Sequence, residues 1–201
     1  MIADQRGRVR RERAEGERAA AVERITAAAR ALLREHSVFD LSASTVAHLA
    51  ETTRQTVHHY FPSMHELIFA LADDLTVDFQ TAGSDLDVDD PQWPYLYAER
   101  VANVALADPV PNRQVLLVSA SQGRGMAAAT SETNRQIVPA LNRRNPVAAD
   151  KAAWLTLTLF RGTLFTWAAE QLSDDELRSN MRDVADVVVT QREIWNKATT
   201  N

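Results

Sequence analysis

Apolar residues recur along this chain with a helical period almost throughout. Over residues 19–35 they fall at Val22, Ile25, Ala29, Leu32 and Leu33, with arginines and glutamates on the other side, which predicts a first helix. Val46, Ala50 and Val57 then supply apolar positions on two short segments, and Ala47 is small where those segments would cross. Ser42 or Ser44 can cap the first segment and Thr53 the second, so residues 46–61 read as two short helices and a sharp turn. Phe39, in the exit from the first helix, is expected to anchor the core. After Pro62, Ser63-Met64-His65-Glu66 forms a capping box for a long helix with Leu67, Ile68, Leu71, Leu75 and Phe79 on one side and Asp73, Asp74 and Asp78 on the other. It connects the first part of the chain to the rest. Further helices are expected over about 93–107, 112–122, 131–142, 148–171 and 174–197, punctuated by Pro109, Pro111, Gly123, Gly125, Pro139 and Pro146. Strand-like alternation of Val, Ile and Thr is lacking, so the fold class is all-α.

Composition narrows the chemistry. The chain has 201 residues, enough for a proper core in one domain or two small ones, and 45% of them are hydrophobic. It contains no cysteine, which removes disulfides, thiolate metal sites and a cysteine nucleophile. No apolar run reaches the roughly 20 residues of a membrane helix, and the charged first residues do not form a signal peptide, so a cytoplasmic protein with no membrane partner is expected. Net charge is -5, unevenly distributed. Residues 1–62 carry ten arginines against eight acidic residues, a net of +2, whereas residues 63–201 carry twelve basic and nineteen acidic residues, a net of -7. His36, His48, His58 and His59 also lie in the first part. This asymmetry suggests a basic nucleic-acid reader carried by an acidic partner domain.

Thr53, Arg54, Gln55, Thr56, His58 and His59 offer the groups that major-groove readout requires: arginine for guanine, glutamine for adenine, threonine for a thymine methyl or a phosphate. Val57 faces inward. The Tyr60 hydroxyl can reach a phosphate, or the ring can serve the core alone. Ser44 and Thr45, opening the preceding helix, complete the candidate DNA-binding set. His58-His59 is not a metal pair, since neighbouring helical residues point about 100° apart and neither has a carboxylate four residues on. Residues 1–18, with six arginines among four acidic residues, cannot build a core and are expected to form a flexible arm, solvated or reaching the minor groove. The acidic stretch 82–91 lacks the glycine and closing glutamate of a calcium loop and reads as a solvated loop. Gly123-Arg124-Gly125 is a turn, too short for a phosphate loop.

The order Ile25-Thr26-Ala27-Ala28, Leu32-Leu33, Val46-Ala47, Ala50, Thr53 to Val57 and Tyr60-Phe61-Pro62-Ser63, followed by Glu66-Leu67, resembles the DNA-binding domain of the TetR family of bacterial transcriptional regulators. The similarity runs over residues 22–68. Glu51 stands where the family usually has the glycine of the turn, Thr52 where it has valine, Ser37 where a glycine usually ends the first helix, and Met64 where a lysine usually meets phosphate. Beyond the arm over 1–18, the resemblance implies a three-helix helix-turn-helix domain over 19–66 and a helical ligand-binding and dimerisation domain over 67–201.

It further implies a homodimer paired through the last two helices, bound to a roughly palindromic double-stranded operator and acting as a repressor. A small apolar or amphipathic effector in the C-terminal domain would release it. The stretch Trp154-Leu155, Leu157, Leu159-Phe160, Leu164-Phe165 and Trp167 is apolar nearly all round, as a helix covered on several sides must be. Arg161 within it either pairs with a carboxylate of a neighbouring helix, lies on the helix's least buried side, or meets an anionic ligand group. The resemblance suggests Trp93, Met126, Trp154 and Phe165 beside Arg161 as ligand-lining residues. No cofactor is expected. An enzyme is not indicated, since no Gly-x-Ser-x-Gly elbow, His-Glu-x-x-His or phosphate loop occurs. The alternative is a helical interaction or ligand-binding module that has lost DNA reading, which the departures at Glu51 and Met64 motivate.

Overall fold

The computed structural model describes residues 2–87, 90–121 and 146–198. The helix expected over 131–142, the turn at 123–125 and Met126 lie outside them. Among the described residues the fold is all-helical: α1 Ile2–Leu33, α2 Ala43–Leu49, α3 Arg54–Tyr60, α4 Met64–Ala82, α5 Trp93–Leu106, α6 Pro109–Ser121, α7 Pro146–Glu170 and α8 Asp174–Ala198, with a short 3-10 turn at Val38–Asp40. The chain divides into two compact units, Met1–Leu71 and Ala72–Asn201, with α4 shared between them.

In the first unit, Ile25, Ala28, Ala29 and Leu33 of α1 are buried together with Leu41, Val46, Ala47, Ala50, Val57, Phe61, Leu67, Ile68 and Leu71. The small residues at 28, 29, 47 and 50 let short helices approach closely enough for so few turns to share a core. Each start is capped from sequence. Ser42 Oγ accepts from Thr45 N and Thr45 Oγ1 accepts from Ser42 N, a reciprocal box at α2, and Thr53 Oγ1 accepts from Thr56 N at α3. Ser63 Oγ accepts from Glu66 N at α4.

Two expectations differ here. The segment expected as a flexible arm is the beginning of α1, whose charges pair along the helix as Arg8–Glu12 and Arg13–Glu17 at a spacing of four residues. Charge alternation that cannot build a core can still support a helix. Phe39, expected in the core, is 90% exposed. Ser37 Oγ accepts from Phe39 N and starts the 3-10 turn, which brings Leu41 rather than Phe39 into the interior.

In the second unit, α5 packs along α8, α6 along α7, and α7 along α8. α6 begins at Pro109, three residues before the expected start, because proline in a first turn forfeits no helical hydrogen bond. Asn112 is buried and its amide donates to Val104 O and Ala105 O, satisfying two terminal carbonyls of α5. Arg113 does the same for the end of α7: it donates to Trp167 O at 2.8 Å and to Leu172 O, with its guanidinium 4.1 Å from the centre of the Trp167 ring. Ser173 and Glu176 form a reciprocal capping box at the start of α8.

Candidate functional site

The turn between α2 and α3 is closed by backbone. Thr52 N donates to Ala47 O at 2.9 Å and Glu51 N to His48 O at 3.3 Å, the paired bonds of a Schellman ending. Such an ending needs a left-handed residue, and Glu51 takes it at φ 51°. The position where the sequence departs from glycine is thus one where the backbone requires glycine's conformation.

α3 turns Val57 fully inward, and this fixes what its other residues can do. Arg54, Gln55, His58 and His59 are exposed, while Thr56 and Tyr60 are half-buried. Thr53 and Thr56 hydroxyls lie 2.8 Å apart and are occupied with the cap. Arg54 Nε reaches His58 Nε2 at 3.4 Å, a long bond that leaves both side chains on the outer face. His59 meets Tyr60 edge to face at 5.0 Å. Ser44 and Thr45 are exposed at the start of α2, with Thr45 Oγ1 engaged by Ser42. The predicted residues therefore share two helix starts and one outward face, but Thr53, Thr45 and part of Thr56 serve as caps first.

The second unit contains an open-mouthed cavity between α4, α5, α6 and α7. Leu75, Phe79, Leu157, Phe160, Leu164 and Phe165 make its apolar wall, and Thr76, Gln80, Tyr97, Ser119 and Arg161 its polar positions. Of the residues suggested from sequence, Arg161 and Phe165 line this cavity. Trp93 does not: it is buried behind it, stacked on Tyr97 at 5.3 Å. Trp154 is 56% exposed and points elsewhere. Tyr97, which sequence reasoning missed, sits between Trp93 and Phe160, with the latter ring edge-on at 5.1 Å. Its position four residues after Trp93 was the available signal, but that spacing also describes an ordinary core. Burial pushes the Tyr97 phenol up to about 12, with Arg161 acting in the opposite sense. Burial also lowers the Arg161 guanidinium from its usual value, and Tyr97 partly offsets this. The phenol is neutral and the guanidinium charged at pH 7.

The first unit thus holds a helix-turn-helix, and the second is all-helical among the described residues and holds a cavity. Residues 25–71 match the family model described as bacterial regulatory proteins, tetR family. The fold is similar to that of a TetR transcriptional regulator from Rhodococcus sp. RHA1, at 18% identity and a TM-score of 0.62, over 85% of this chain and 95% of that one. It is also similar to a tetR-family transcriptional regulator from Streptomyces coelicolor, at 14% identity and a TM-score of 0.67, over 90% and 85% of the respective chains. A putative TetR-family transcriptional regulator from Rhodococcus sp. gives 16% identity and a TM-score of 0.59, over 85% and 99%. No match is found among curated proteins. Residues 25–71 thus carry a DNA-binding domain of the TetR type, and the fold of the chain is that of these solved regulators.

Proposed function

We propose that this protein is a non-catalytic, ligand-responsive repressor that binds a palindromic DNA operator as a homodimer. The observation that carries the reading is the outer face of α3, where Arg54, Gln55, His58 and His59 stand exposed on a helix fixed by the Thr53 cap and the buried Val57. Arginine and glutamine there suit guanine and adenine edges, and Ser44 and Tyr60 suit phosphates. Dimerisation through α7 and α8 is supported by apolar side chains left outside on both helices, Trp154 and Leu159 on one and Val187 on the other. Two copies would space their recognition helices by about 34–36 Å or a multiple of it.

The cavity supports the effector half of the reading, and α4, common to both units, is the lever through which its occupation would alter the spacing of the heads. An effector must bind the DNA-incompetent spacing more tightly to release the operator. Such a role places the protein in the cytoplasm with the chromosome. Selection of duplexes from a random pool tests the reading: it should enrich a two-fold symmetric sequence bound by one dimer or a pair of dimers. A pool that remains random after selection would favour the interaction module that has lost DNA reading.

A further inference from the structure

Arg54 and His58 stand four residues apart on α3, the spacing at which side chains meet on one face of a helix. Both are exposed, and Arg54 Nε donates to His58 Nε2 at 3.4 Å. The direction of that bond fixes the state of the ring, because Nε2 accepts only when it carries no proton, so the ring hydrogen lies on Nδ1. With its acceptor engaged by Arg54, the imidazole has none left for the amino group of a base. The guanidinium has five N–H donors, and the bond uses the one on Nε. The donors on Nη1 and Nη2 have no partner among the described residues, and together they form an end-on fork that matches N7 and O6 of guanine.

We propose that His58 is a positioning residue for Arg54 and not the reader of a base of its own: it holds the guanidinium through Nε so that Nη1 and Nη2 meet one guanine in each half-site. This rests on the DNA-reading function proposed above and assigns one of its base contacts. A free arginine in the first turn of a helix samples many rotamers and loses them when it docks on a base edge. An acceptor one turn further on draws the side chain along the helix, so part of that ordering precedes the DNA. The bond also selects the docking mode. With Nε engaged, the side-on fork of Nε and one terminal nitrogen is closed and the end-on fork remains. In the major groove guanine is the base that presents two adjacent acceptors to such a fork.

The test is anisotropy titration of the full-length protein on a duplex selected from a random pool and on variants in which each base pair of the half-site is replaced in turn. The wild type should prefer a G·C pair at one position by about tenfold or more, and Arg54→Ala should flatten the preference there. His58→Ala should reduce it at the same position to within about threefold and leave the other positions as they were. His58→Gln, whose side-chain carbonyl can accept from Nε, should restore most of it. In an Arg54→Ala background, His58→Ala should change nothing further at that position. Full preference retained in His58→Ala, a loss at a different base pair, no position flattened by Arg54→Ala, or a loss that glutamine fails to restore overturns the inference and leaves sequence reading by the protein standing. A wild-type protein that prefers no duplex overturns both this inference and the DNA-reading function. Both side chains are exposed, so the replacements leave the core of the first unit intact.

Discussion

Gly83 lies against the ring of Tyr97 so closely that a Cβ at position 83 would stand 2.7 Å from Cε2 and 2.8 Å from Cδ2. The ring cannot readily give way, since Trp93 is stacked on it and Phe160 meets it edge-on. Arg100 of α5 donates to Ala82 O at 3.1 Å and pairs with Asp85, so the end of α4 is held to α5 at the same place. Gly83→Ala is therefore expected to cost about 1–3 kcal/mol by overpacking, measured by urea denaturation. Tyr97→Leu in the same background should recover part of the loss. Simple additivity of the two changes would count against the contact.

Glu51 adopts φ 51° in a turn whose backbone bonds require it. A non-glycine residue there costs about 1–2 kcal/mol, and glycine gives back part of that through its larger unfolded-state entropy. Glu51→Gly should raise stability by up to about 1 kcal/mol in thermal melts. A lower melting temperature would mean that the Glu51 side chain makes a compensating interaction.

Thr53 holds α3 at its first turn through Thr56 N at 3.0 Å. Thr53→Ala should cost about 1 kcal/mol of stability. Thr53→Ser, which keeps the hydroxyl, should restore most of it. If Ala and Ser variants melt alike, the hydroxyl is not acting as a cap.

Glu176 accepts from Ser173 N at 2.7 Å and from its hydroxyl at 2.8 Å, and these bonds hold its carboxyl below the ordinary value. A lowered folded-state value means that the stabilisation is present above the unfolded value, near 4.5, and is lost as pH falls through the folded one. The melting-temperature difference between the wild type and Glu176→Gln should therefore be present at pH 7 and shrink on acidification below about 4.5. A difference constant down to pH 2 would contradict this.

The helix starts of the first unit were legible because a cap is local: Ser42, Thr53 and Ser63 each bond a backbone N–H three residues on. So was the inward turn of Val57, which follows from period alone. Phe39 was not, because hydrophobicity says that a side chain prefers the interior and the turn starting at Ser37 decides whether it arrives there. The cavity was legible only in part. Arg161 signalled itself as a charge in an apolar run, but Tyr97, Phe79 and Ser119 come from three other helices, and no periodicity in one helix reveals what faces it across a gap. Trp154 misled for the converse reason: a large aromatic residue in an apolar helix can lie on the side its own unit leaves open.

Sequence reading by α3 is measured by anisotropy titration of the purified protein on duplex flanking its own gene or on a selected sequence. The titration is run at two salt concentrations with unrelated duplex as competitor. Competitor-resistant binding that weakens with salt is expected, with a loss of about 1–3 kcal/mol on replacing Gln55 or His59 by alanine for each side chain that makes a bidentate base contact. Affinity for every duplex equal to that for the competitor, unchanged by both replacements, would contradict it.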